Sequence, residues 1–353
     1  MVVKRALRVA ELAPLWKTIP PTKYGGSELV VSNLTEGLVS EGVDVTLFAC
    51  GGSKTSGKLI EVIEKPMYDL MGGFSWTAIS PYEFLSFNEL FKRLNEFDII
   101  HNHMGFHPLI FSKLLSVPIV TTLHSSVEPD FPYLAKELKD CLFVSISDAQ
   151  RKLAPSLNYI ATIYHGIEID KFRPNYTNNK NYFLFIGTLS KNKGIDLAVK
   201  ACHELGQRLI IAGEVRESDK DFLEKEVLPF IDGDKIKFVG EVNHDQKVAL
   251  YTHAKALLFP IRWNEAFGLV MPESLACGTP VIAFSNGAIP EVIADSETGF
   301  VVDDFEEFLK RIKQVNQISR KKCREVAEKR FDTKVMVQNY INLFEKVAWG
   351  KSL

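Results

Sequence analysis

Apolar residues in this chain are clustered in short blocks set between longer amphipathic stretches. Runs rich in Val, Ile, Leu and Phe fall at 7–12, 44–49, 98–103, 118–124, 141–147 and 159–165. Their near-continuous apolar character predicts strands buried on both faces, as in a parallel sheet. Helical spacing of apolar residues predicts helices at 27–40 and 81–95 between them. The second half repeats the plan, with strands at 182–186, 208–212, 235–239, 256–260 and 281–284 and helices at 195–205, 245–253 and 272–277. Strand and helix alternating throughout predict an α/β chain made of two doubly wound, Rossmann-like units.

The segment 171–180 interrupts the alternation. It is polar, Asn-rich and contains Pro174, which suits a linker and neither helix nor strand. A chain of 353 residues is long for a single core and suits two domains, here 1–170 and 181–332. No repeat of solenoid period is visible.

Charge and composition then narrow the function classes. A net charge of −2 gives no basis for nucleic-acid binding. The five cysteines (Cys50, Cys141, Cys202, Cys277, Cys323) are scattered and lack metal-ligand spacing, a pattern of reduced thiols in a cytosolic protein. No apolar run reaches membrane-spanning length. Lys4, Arg5 and Arg8 are interrupted by the first strand and do not form a targeting segment, so a cytoplasmic protein is expected.

The richest chemistry lies at 262–280. Glu265 and Glu273 bracket an apolar stretch containing Phe267, Gly268 and Leu269. Pro272 suits a first helical turn and Gly278 a helix stop. Glu273 is therefore expected near a helix N-terminus, and Glu265 in the loop leaving a strand. The carboxyl end of a strand in an open α/β sheet is where ligands bind. Taken alone, the two glutamates could equally be a helix cap and a solvated loop residue.

The same residues resemble the E-x7-E motif of the retaining GT-B glycosyltransferases of family four. The likeness continues through Gly278-Thr279-Pro280-Val281-Ile282-Ala283, Gly287-Ala288-Ile289-Pro290-Glu291-Val292-Ile293 and Thr298-Gly299-Phe300-Val301-Val302, and runs from Tyr24 to about Phe331. It implies two Rossmann-like domains facing each other across a cleft. The helix 333–353 would pack back on the acceptor-side domain, and 181–332 would hold the donor. It also implies a hexosyltransferase that takes a sugar from a nucleotide-diphosphate sugar, UDP- or GDP-linked, and passes it with retention to a hydroxyl on a glycan, glycolipid or small molecule. Neither metal nor cofactor is expected. Peripheral membrane contact through the N-terminal domain stays open.

Residue by residue, the resemblance assigns Glu265 to the donor sugar and Glu273 to the nucleotide ribose. Lys193 matches the lysine of a G-R-L…K-G motif that binds diphosphate, in a loop opening the helix at 195. Here that motif reads Gly187-Thr188-Leu189-Ser190-Lys191-Asn192-Lys193-Gly194. Thr188 stands where the arginine belongs, so Lys191 or Arg262 would have to supply the missing cation. Gly25 and Gly26, between the first strand and its helix, would let backbone approach the phosphate and leaving sugar. His124, at a strand end, would orient the sugar. Gly213 and Val242 would line the base and ribose pocket with the helix bearing Glu273, and Phe267, Gly268 and Leu269 would also bind the nucleotide sugar.

Four other features admit plainer readings. The segment 52–58 nearly spells a phosphate-binding P-loop, but the residues after it read as a strand where that motif demands a helix. His101 and His103, with His107, suggest metal ligands, yet no carboxylate or cysteine cluster is seen to complete a site. The basic run from Lys310 to Arg330 reads as the solvated face of an amphipathic helix. The aromatic segment 67–91 reads as core or as an acceptor-facing surface. Competing functions are a sugar-phosphate synthase of the same fold and a decayed, non-catalytic scaffold, for which Thr188 is the argument.

Overall fold

The computed structural model describes residues 5–22, 25–72, 79–127, 132–176 and 181–350. The chain divides into two compact units, Met1–Gly166 with Thr333–Leu353, and Ile167–Asp332. Tyr24 and residues 73–78 and 177–180, which belong to the glycine loop, the aromatic segment and the linker of the sequence reading, lie outside the described residues.

The first unit contains β1 (Arg8–Leu12), β2 (Asp44–Cys50), β3 (Lys58–Ile63), β4 (Ile99–Asn102), β5 (Ile119–Thr122), β6 (Leu142–Ser145) and β7 (Tyr159–Thr162). They form one parallel sheet in the order β3-β2-β1-β4-β5-β6-β7. The apolar runs are strands because helices cover the sheet, leaving Val9, Leu12, Leu47, Ile100 and Val120 with no exposed surface. The helix Gly26–Ser40 links β1 to β2. The helix Thr333–Trp349 packs against it. Gly37 makes the contact possible, since a Cβ there would lie 2.3 Å from the Val337 side chain.

The second unit contains β8 (Phe183–Ile186), β9 (Leu209–Ala212), β10 (Ile236–Phe238), β11 (Leu257–Phe259), β12 (Val281–Phe284) and β13 (Gly299–Val302). These too are parallel, in the order β10-β9-β8-β11-β12-β13. In each sheet the order reverses once, between β1 and β4 in the first and between β8 and β11 in the second. Loops leaving the carboxyl ends of the two strands at such a point diverge and open a crevice, the usual ligand position in this architecture.

Three of the plainer readings can be compared with the structure. A strand, β3, follows residues 52–57, so a P-loop is excluded. In the aromatic segment, the rings of Phe84, Phe87 and Phe91 pack on Phe111 with centroids 5.6, 5.8 and 6.3 Å away. The basic run needs correction, because it is not one solvated helix face. It spans the helices Phe305–Gln314 and Arg320–Phe331; its lysines are exposed as a solvated face requires, but Arg320 and Arg324 turn inward. Arg320 donates to the carbonyls of Ala254 and Thr252, each at 2.7 Å. Arg324 donates to Ala276 O at 2.9 Å and to the carbonyl of Phe172. Backbone carbonyls left open at loop and helix ends need donors, and these guanidiniums supply them.

Candidate active site

At the second unit's switch point, β8 runs through Gly187-Thr188-Leu189-Ser190 into a turn that opens the helix Ile195–Glu204. Gly194 sits in that turn at φ 74°, where a Cβ would come 1.9 Å from Pro260 O. Only glycine allows the loop after β8 to lie against the end of β11. That approach brings Lys193 to Glu265. Lys193 Nζ lies 2.6 Å from Glu265 Oε2, and Trp263 Nε1 donates to the same oxygen at 3.1 Å. The ammonium also lies 4.6 Å from the Trp263 ring centroid, within cation–π range. The two side chains keep 19% and 13% of their surface exposed, so the pair is packed yet reachable. The Glu265 backbone is fixed by Ala288 N, which donates to its carbonyl at 2.8 Å.

Gly268, at φ 80°, and Leu269 lead into the helix Val270–Ala276. Pro272 lies in its first turn, and Gly278, at φ 72°, follows its end. Glu273 is buried, with Oε1 receiving Lys247 Nζ at 2.6 Å and Oε2 receiving the Tyr251 hydroxyl at 3.1 Å. Both partners come from the helix His244–His253, started by a reciprocal Asn243–Gln246 capping box. Burial, reinforced by the adjacent Glu273 carboxylate, pushes the Tyr251 phenol well above its ordinary pKa, so it stays a donor.

The remaining predicted residues of this unit occupy different settings. Lys191 is exposed. Arg262 grips Asp196 through two parallel bonds of 2.7 and 2.6 Å and also donates to Lys191 O at 2.7 Å. Thr188 is buried. Phe267 is core, its ring 5.9 Å from that of Phe331, so it offers a ligand only its backbone. Gly213, at φ 148°, lies where a Cβ would be 1.7 Å from Gly187 O, and its N–H donates to Gly240 O at 2.9 Å. The loops leaving β8, β9 and β10 are thereby tied side by side. Val242 is half-buried just before the Asn243 cap.

In the first unit, Gly25 and Gly26 begin the helix after β1, and no side chain caps that end. His124 follows β5 and belongs to a chain of hydrogen bonds across the switch point. The parallel register sets Glu11 of β1 opposite His101 of β4. Glu11 Oε1 lies 3.1 Å from His101 Nδ1, and Oε2 lies 2.7 Å from His103 Nε2. His101 Nε2 continues to Thr122 Oγ1 at 2.8 Å and thence to the Tyr340 hydroxyl at 2.7 Å. His103 Nδ1 continues to His124 Nε2 at 2.8 Å, and His124 Nδ1 lies 3.4 Å from His165 Nε2. Glu11 and His101 have no exposed surface.

The expectation that no carboxylate joins His101 and His103 is therefore corrected. Their donor atoms and those of Glu11 fall within 4.8 Å of one another, a set able to hold a divalent cation. As they stand, the three groups satisfy each other directly. Burial opposes ionisation of Glu11, but the two histidines overcome it and hold the carboxyl below the ordinary range. Burial, helped by the charge of His101, brings His103 down to about 4. Burial likewise holds His124 well below the ordinary value, reinforced by His103 and His165, so the ring is neutral near pH 7.

Comparisons with known proteins agree with this architecture. The model described as Glycosyltransferase Family 4 matches residues 24–171, and that described as Glycosyl transferases group 1 matches 166–330. The chain is a GT-B glycosyltransferase of family 4. Sucrose-phosphate synthase from Thermosynechococcus elongatus superposes with a TM-score of 0.81 at 19% identity, covering 98% of this chain and 100% of that one. The Anabaena HepE protein, solved in complex with UDP and glucose, gives 0.74 at 16% identity over 96% and 100% of the two chains. The O-antigen chain mannosyltransferase C of Escherichia coli is 23% identical over 96% of this chain and 99% of its own.

In this glycosyltransferase, sequence reasoning missed Glu11, Lys247, Tyr251 and Tyr340. One signal was available for Glu11. It is a carboxylate within the otherwise apolar Val9-Ala10-Glu11-Leu12, and a buried charge demands partners. Nothing in the local pattern marks the other three.

Proposed function

We propose that the chain moves a hexosyl group from a nucleotide-diphosphate sugar to an acceptor hydroxyl with retention of configuration. Residues 181–332 serve as the donor-binding domain and 1–170 as the acceptor side. The observation that carries this reading is the meeting of Lys193 and Glu265 at the β8/β11 switch point, with Glu273 buried in the helix that follows. Lys193 is the cation for the diphosphate. Glu265 accepts hydroxyls of the sugar, and Glu273 takes the ribose. Backbone groups at Gly268 and Leu269 bind the donor, and Gly213 and Val242 line the nucleoside. Catalysis rests on positioning and on stabilising charge at the leaving diphosphate. Because Arg262 is committed to Asp196, the exposed Lys191 is the better stand-in for the cation missing at Thr188. A UDP-sugar donor is favoured by the HepE complex with UDP and glucose. A glycan acceptor is favoured by the O-antigen mannosyltransferase relative.

A decayed scaffold is the second reading, and the buried Thr188 favours it. Calorimetric titration with UDP, GDP and ADP, followed by donor hydrolysis with UDP-glucose and GDP-mannose, separates the two. Glu265→Gln should keep diphosphate binding and lose turnover by about two orders of magnitude or more. A parent protein that binds no nucleotide of the panel would overturn the enzyme reading.

A further inference from the structure

The backbone around Glu265 is clamped from two sides. On one, Arg262 N donates to Asn192 O at 2.8 Å, beside the guanidinium's grip on Asp196. On the other, Gly287, at φ 62°, lets the loop after β12 lie against Glu265, where a Cβ would come 2.3 Å from Glu265 O. Trp263 is carried between these clamps, with 46% of its surface exposed. The Glu265 side chain has less to hold it. Both of its donors, Lys193 Nζ at 2.6 Å and Trp263 Nε1 at 3.1 Å, reach the same oxygen, Oε2. Among the described residues none donates to Oε1. One oxygen is thus held twice and the other is left for a ligand.

We propose that Trp263 is a positioning residue of the donor site: its indole N–H keeps Glu265 in place, with Oε1 turned to the sugar hydroxyls, once the diphosphate has drawn Lys193 off Oε2. The inference rests on the glycosyl-transfer reading and deepens it. Trp263, Lys193 and Glu265 all belong to the second unit. The physical reason is competition for one cation. A diphosphate carries more negative charge than a carboxylate, so the ammonium on its flexible stem moves toward it. The indole is neutral and has a single N–H, which stays on Oε2. Without that bond Glu265 would be an anion beside the diphosphate with no donor of its own and nothing to fix its torsions. The indole ring also faces the ammonium at 4.6 Å, which keeps Lys193 near while it changes partners.

Trp263→Phe keeps a ring for the ammonium and removes the N–H. By calorimetry its affinity for UDP or GDP, whichever the parent binds, should match the parent's. With UDP-glucose or GDP-mannose, kcat for donor hydrolysis should fall about tenfold at unchanged KM, the worth of one hydrogen bond to a charged group. Fluorescence gives a readout besides activity. Trp263 is the one tryptophan between Ile167 and Asp332, and emission lost in Trp263→Phe is its own. In the parent that emission should change at saturating nucleoside diphosphate, as the ammonium leaves the ring, and stay constant with the nucleoside. Lys193→Met should show no such change. A response that persists in Lys193→Met would assign the ring to the ligand itself and overturn the handover, even if Trp263→Phe did not fold. So would Trp263→Phe with the parent's kcat, the result if one ammonium bridged both anions. A loss of diphosphate affinity in Trp263→Phe as large as its loss of turnover would overturn the positioning of Glu265. A parent that binds no nucleoside diphosphate would defeat the glycosyl-transfer reading and this proposal with it. A parent that binds and hydrolyses its donor, beside an unimpaired Trp263→Phe, would defeat this proposal alone.

Discussion

Lys193→Met keeps the length and apolar stem of the side chain and removes its charge. Two interactions go with the charge, the 2.6 Å ion pair with Glu265 and the ammonium 4.6 Å from the Trp263 ring. Exposed ion pairs contribute about 0–1 kcal/mol, and breaking a fully buried one costs about 3–5 kcal/mol. With one fifth or less of each side chain exposed, this pair lies between those limits, so the fold should lose about 1–3 kcal/mol. The effect on ligand is of different origin. A charge-assisted hydrogen bond to a diphosphate oxygen contributes about 1.5–3 kcal/mol, which is about 10- to 150-fold in affinity. Uridine has no phosphate and should bind the variant as it binds the parent. The assay is calorimetric titration of both proteins with UDP and with uridine at one fixed ionic strength, beside a thermal melt that registers the stability loss. Equal UDP affinity in variant and parent would refute the assignment. An equal loss for UDP and uridine would trace the effect to a damaged fold.

Glu273→Gln should weaken UDP and uridine alike, by about tenfold, because the residue is assigned to the ribose and its loss also strands Lys247, which lies 2.6 Å from it; a loss confined to UDP would contradict that role. Gly194→Ala should cost at least about 2 kcal/mol, since its φ of 74° and the 1.9 Å approach to Pro260 O both resist a Cβ, and an unchanged melting temperature would show that the loop is not so constrained. Acid should destabilise the first unit through its buried histidines. His103 is held down to about 4 and His165 down to about 3, while the unfolded chain takes up protons near pH 6.5. Between those values the unfolded state binds more protons, so stability is intact above about pH 6.5 and falls as the pH drops. The loss at pH 5 is about 2 kcal/mol for each of these histidines; Glu83, pushed up to about 8 by burial, opposes it as it takes up its proton, so the check is made in Glu83→Gln, where equal urea midpoints at pH 5 and 7.5 would contradict it.

What the sequence determined by itself is whatever local pattern encodes. Apolar blocks separated by helical stretches were enough for two doubly wound units, because burial of a parallel strand on both faces leaves a continuous apolar run. Pro272 and Gly278 marked one helix because a missing N–H and a positive φ are properties of single residues. The spacing of Glu265 and Glu273 was equally visible, and with it the family. Tertiary structure alone decided what those groups touch. Strand order put Lys193 beside Glu265 across 72 positions of chain, and the register of β1 on β4 put Glu11 against His101 across 90. No periodicity carries such information, since register depends on which strands pair. The same limit explains the basic run at 310–330. Its charges suggested a solvated face, and only packing shows that Arg320 and Arg324 bind carbonyls of distant loops. Helical spacing alone also could not show that Thr333–Trp349 belongs to the first unit, because its apolar face would suit any neighbour and the fit at Gly37 is what selects one.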